Sequence, residues 1–99
     1  MTYGCIVSMK TQPGSRDEVV SILLSAADGL REAGCDLYVV GLSHDDDVTI
    51  WVTEVWQTKE HHDASLELPE AKAAISKAMP MLKGGFTKQE LSVAGGLGL

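Results

Sequence analysis

The sequence predicts an α+β domain built on one antiparallel sheet with helices on a single face. Three observations predict it. Apolar residues alternate with a period of two in four short stretches, they recur at helical spacing in the segments between, and 99 residues supply one core rather than two. Residues 1–99 therefore read as a single domain.

The first stretch, Tyr3 to Lys10, puts Tyr3, Cys5, Val7 and Met9 on one face and Ile6 on the other, and ends at "TQPGS". It reads as a strand that is apolar on both sides. After the Pro13-Gly14 turn, Ser15 and Glu18 have the spacing of a capping box, and Val19, Ile22, Leu23, Ala26, Ala27, Leu30 and Ala33 follow at helical intervals. Gly34 is the expected end of that helix.

Residues 35–42, "CDLYVVGL", predict a second strand, and "SHDDD" turns the chain into a third at 48–56. Thr58 is placed to cap a short helix over 59–67. Pro69, favourable in a first turn, restarts a helix in which Ala71, Ala74, Ile75, Ala78 and Leu82 share a face, and Pro80 with "KGG" closes it. A last strand covers about 86–93, and the glycines of "AGGLGL" make 94–99 a flexible tail. This order is the split βαβ pattern of ferredoxin-like folds. It sets the third strand between the first and second, so Cys5 and Cys35 are not ladder neighbours and a disulfide between them is not expected.

The third strand is apolar on both faces: Val48, Ile50, Val52 and Trp56 on one side, Trp51 and Val55 on the other. Helices on one face of a sheet leave the opposite face to be covered, and a second copy of the chain is the simplest cover. A homodimer is expected, with Trp51 packed in the core or the dimer seam.

Charge and composition narrow the function. The net charge is −6, and the eight Lys and Arg residues are scattered, so no basic stripe exists to neutralise a phosphate backbone and nucleic acid is not expected as a partner. "MTYGCIVSMK" lacks the pattern of a signal peptide, no stretch has the apolar length of a membrane span, and a cytoplasmic location is expected, with both cysteines as buried thiols.

The candidate site lies in "EVWQTKEHHDASL", residues 54–66. Trp56 at the strand exit is either a flat apolar pocket wall with an indole donor at its edge or a core filler. His61 and His62 stand about 100° apart on a helix and cannot chelate one metal as an i, i+4 pair does, so a metal site there is not expected. Either histidine could reach the sheet and act as a general base, or both could be solvated. Glu54, on the Trp56 face, is costly to bury unless hydrogen-bonded. It could orient a histidine, act as a base, or bond across a dimer interface. His44 and the aspartates of "SHDDD" lack the spacing of a calcium loop and read as a solvated turn.

Together, Pro13-Gly14, the aliphatic hairpin ending in "EVW", "QTKEHHDASL" and "MPMLKGG" (residues 79–85) resemble the antibiotic biosynthesis monooxygenase domain family, from Tyr3 to about Gly96. The resemblance implies a subunit that dimerises into an α+β barrel. It further implies oxygenation of electron-rich aromatics such as anthrones or quinols with neither metal nor flavin. Under it, His62 and Glu54 are the candidate catalytic residues, with Trp56, Ser65 and His61 binding substrate, and "HDASL" selects His62 over His61 as the base. The haem degraders of the family use an Asn, a Trp and a helical His. This chain has no Asn, retains only Trp56, and carries Ser65 or Leu66 where that His would stand. Val52 replaces the strand Asn of some anthrone oxygenases. No cofactor is expected. A non-catalytic dimeric module that binds a small ligand or a partner is the alternative, distinguished by whether Glu54 and His62 converge on a cavity.

Overall fold

A computed structural model describes residues 2–99. The elements run β1 (Thr2–Lys10), α1 (Arg16–Ala27), β2 (Cys35–Leu42), β3 (Thr49–Trp56), α2 (Lys59–Ser65), α3 (Pro69–Ala78), a 3-10 turn (Met79–Met81) and β4 (Thr87–Val93). The four strands form one antiparallel sheet in the order β2-β3-β1-β4, as the split βαβ pattern requires. Cys5 and Cys35 are both buried free thiols, held apart by β3.

Ladder partners share a face, so the register sorts the side chains. Pairs Tyr3–Trp56, Cys5–Glu54, Val7–Val52 and Met9–Ile50 between β1 and β3, and Tyr38–Glu54 and Val40–Val52 between β2 and β3, define the helix-covered face. One core cluster there joins Ile50 and Val52 to Val19 and Ile22 of α1 and Ala78 of α3. A second joins Tyr3, Cys5, Cys35 and Trp56, with Leu30 and Ala33 against it.

The first helix is shorter than its periodicity predicts. It ends at Ala27, and residues 28–34 continue as successive turns, with Leu30 N donating to Ala27 O and Ala33 N to Leu30 O. Gly29 in a helix interior would cost about 1 kcal/mol relative to Ala, which explains the early stop. Leu30 and Ala33 still reach the core because the tight turns keep them facing the sheet. Gly34, at φ +104°, ends this segment rather than the helix itself. The expected capping box does not form: Ser15 has helical dihedrals, and its side chain makes no capping bond.

Thr58 caps α2 by accepting from His61 N, and Pro69 opens α3, both as expected. In the β2–β3 turn the Asp46 carboxylate accepts from Val48 N, Thr49 N and Thr49 Oγ1, which makes "SHDDD" a structured turn. These backbone donors hold the Asp46 carboxyl below the usual carboxylate range. Among the described residues, no helix is long and apolar enough to cross a membrane.

Candidate active site

Between the sheet, the 28–33 turns, α2 and α3 lies a cavity of about 650 Å³. That size suits a small organic ligand. Its walls include Leu23, Leu30, Ala71 and Ile75, and its polar groups include Tyr38, Glu54, Trp56, His62 and Ser65. Four of the five expected site residues therefore converge on one apolar space.

Trp56 reaches the floor because β3 alternation points it under the helices, where it is 1% exposed. Its indole Nε1 donates to Glu54 Oε1 at 3.0 Å. Glu54 stands two residues earlier on the same face, and its other oxygen, Oε2, accepts from Cys5 Sγ at 3.7 Å. Two donors from its own subunit thus stabilise a carboxylate that the low-polarity floor would otherwise disfavour. Of the roles expected for Glu54, its place on the helix-covered face with both oxygens bonded within its own chain favours orienting a histidine or acting as a base over bonding across a dimer interface.

His62 descends from α2 onto the sheet and is 6% exposed. Its ring lies 5.3 Å from the Tyr3 ring and meets the Trp56 ring edge-on at 5.6 Å and 83°. Nδ1 is 3.0 Å from Asp63 Oδ1. A carboxylate only accepts, so this contact fixes the proton on Nδ1 and leaves the Nε2 lone pair free in the neutral ring. Hydrogen bonds from His62 first and Lys59 second hold the Asp63 carboxyl below its ordinary range. The hydroxyl of buried Ser65 donates to His62 O at 2.6 Å, which anchors the turn that carries the imidazole.

His61 stands apart from the cavity. It is exposed, its Nδ1 lies 2.6 Å from Thr58 Oγ1, and its ring covers Gly34 so closely that a Cβ there would sit 2.7 Å from it. The structure does not bring His61, expected to bind substrate, to the cavity: a 100° turn of α2 sends it to the outer side, against Thr58 and Gly34.

Residue-by-residue reading of the sequence missed three participants. Tyr38 lies opposite Glu54 in the β2–β3 ladder and lines the cavity, its phenol pushed up by burial and then by the Glu54 charge. Cys5 lies opposite Glu54 on the other side, fully buried, its thiol pushed up to about 11 by burial and then by Glu54. Asp63 orients His62. The hairpin register was the available signal for Tyr38; nothing local pointed to Cys5.

Residues 2–77 match the family described as antibiotic biosynthesis monooxygenase. A candidate antibiotic biosynthesis monooxygenase from Chloroflexus aurantiacus is 37% identical, with 97% of this chain and 96% of that chain covered at a TM-score of 0.89. A second such candidate, from Caulobacter crescentus, has a TM-score of 0.88 at 21% identity, covering 95% and 91% of the two chains. A Mycobacterium tuberculosis protein shares the fold at 15% identity and a TM-score of 0.84, covering 98% and 99%. No curated protein matches the sequence.

Proposed function

The chain belongs to the antibiotic biosynthesis monooxygenase family, and from that membership and its cavity we propose that it oxygenates a small electron-rich aromatic, quinol- or anthrone-like, with dioxygen and without a cofactor. The observation that carries the reading is the convergence of His62, Glu54, Trp56 and Tyr38 on one apolar cavity, with the His62 tautomer set by Asp63.

In this reading the substrate ring lies against Trp56, and His62 Nε2 takes the phenolic or enolic proton. The resulting anion is oxidisable and passes an electron to dioxygen. Recombination gives a substrate hydroperoxide, and loss of water from it leaves the quinone, so that anthrone and O2 become anthraquinone and H2O. The apolar walls keep solvent from the anion and the peroxide. Glu54, held in place by Trp56 and Cys5, presents its carboxyl group beside the imidazole that takes the proton. A second copy of the chain covers the open sheet face.

The test is oxygen uptake with product mass spectrometry on a panel of anthrones and hydroquinones, comparing wild type, His62→Ala and Trp56→Phe. Turnover above the spontaneous rate is expected, falling by about 10²–10⁴ in His62→Ala, the usual contribution of a general base. A folded wild type with no turnover on the panel would favour the non-catalytic binding module instead.

A further inference from the structure

Beneath the cavity, the buried thiol of Cys5 meets the carboxylate and the imidazole that Glu54 and His62 present to it. Ligand atoms of Cys5, Glu54 and His62 all lie within 4.8 Å of one another, Cys5 and His62 being buried. We infer that these three residues form a binding site for a thiophilic divalent cation, with zinc the best fit.

Geometry carries the inference. A tetrahedral zinc with bonds of about 2.3 Å to sulfur, 2.0–2.1 Å to nitrogen and 2.0–2.2 Å to oxygen sets its ligand atoms roughly 3.4–3.6 Å apart. Cys5 Sγ and Glu54 Oε2 stand 3.7 Å apart already. The ligand atoms lie within 4.8 Å of one another, so bringing the imidazole to the same spacing takes a displacement of at most roughly 1.4 Å, within the reach of a side chain on a short helix.

The surrounding groups match those that orient metal ligands. Asp63 holds His62 Nδ1, which leaves Nε2 for the cation, as in carboxylate–histidine–metal arrangements. Trp56 Nε1 holds Glu54 Oε1 and leaves Oε2 for it. Glu54 and His62 both line the cavity, which gives a cation a route of entry and room for a solvent molecule as the fourth ligand. The net charge of −6 favours cation approach. Binding replaces the S–H bond of Cys5 by an S–Zn bond and releases one proton, and no electron moves. The site does not depend on the oxygenase reading. If both hold, a bound zinc occupies Nε2 and withdraws the base, so zinc inhibits turnover.

The test needs neither substrate nor oxygen. Chelator-treated protein is titrated with Co²⁺ and then with Zn²⁺. We expect one Co²⁺ per chain, a near-ultraviolet thiolate-to-cobalt charge-transfer band, and its loss on zinc addition. Cys5→Ser removes the band, and His62→Gln weakens binding by at least the ~10–100-fold that loss of an outer-shell partner costs. His61→Ala, outside the site, leaves both unchanged, and thermal melts establish that the variants fold. Absence of a thiolate band in the wild type, or binding that persists in Cys5→Ser and falls in His61→Ala, would overturn the assignment.

Discussion

Trp56 belongs both to the core and to the lining of the cavity. At 1% exposure it fills the second core cluster, and its truncation to Ala is expected to cost about 3–5 kcal/mol, read from urea denaturation. Trp56→Phe keeps most of the apolar volume but strips Glu54 Oε1 of its donor, so it should fold while losing activity. The Cys5 thiol gives a pH signature. Its pKa is pushed up from 9.0 to about 11, so the unfolded chain releases that proton first. The stability it contributes is complete below pH 9.0 and is lost as pH rises through about 11. Urea midpoints across this range should fall more steeply for wild type than for Cys5→Ala; parallel curves would contradict the shift. Strand alternation put Glu54 and Trp56 on one face of the sheet, whereas helical spacing left His61 and His62 equivalent and only the family resemblance singled out His62 and Ser65. Tyr38 and Cys5 were not legible as site residues, because their place beside Glu54 depends on the register of three strands brought together from distant parts of the chain.

At the scale of elements, α2 is seven residues long and depends on its ends. Isolated helices of this length do not persist in water, so the Thr58 cap and the packing of His62 hold it. Thr58→Ala is expected to cost about 1 kcal/mol, and since α2 carries His62 it should also lower turnover more than its effect on global stability explains. Gly34 constrains the same helix from below. Its φ of +104° disfavours any Cβ, and that Cβ would strike the His61 ring at 2.7 Å. Gly34→Ala should therefore destabilise by more than about 1 kcal/mol and push α2 outward. Hydrogen exchange of the 59–65 amides would register the loosening, and unchanged exchange would contradict this account. The cap of α2 was legible because Thr58 precedes the helical run, whereas the end of α1 was misplaced by seven residues, Ala27 in place of Gly34. There the apolar spacing of Leu30 and Ala33 continues across a break, since a chain of tight turns presents residues three apart to the sheet much as a helix does.

For the whole molecule, the uncovered face of the sheet decides how the chain exists in solution. The register sets Ile6, Leu37, Val39, Trp51, Thr53 and Leu91 on the side away from the helices. Leu37, Val39, Trp51 and Leu91 are 38%, 48%, 45% and 41% exposed. Four strands of seven to nine residues present a surface of roughly 19 by 26 Å, of the order of the area each subunit of a stable dimer buries. An exposed apolar patch of that extent marks an interaction surface. In the dimer proposed above, two such faces would pack together about a two-fold axis, with Trp51 desolvated against the partner's sheet. Trp51→Glu buries an unpaired charge in that seam, so light scattering behind size exclusion should give a dimer for wild type and a monomer for the variant at micromolar concentration. The cavity lies on the opposite face of the sheet, and Trp51→Glu should accordingly retain the Co²⁺ charge-transfer band even as a monomer. A wild type that runs as a monomer would mean that another partner covers the sheet, and loss of the band in a folded Trp51→Glu would mean that sheet pairing shapes the site from behind.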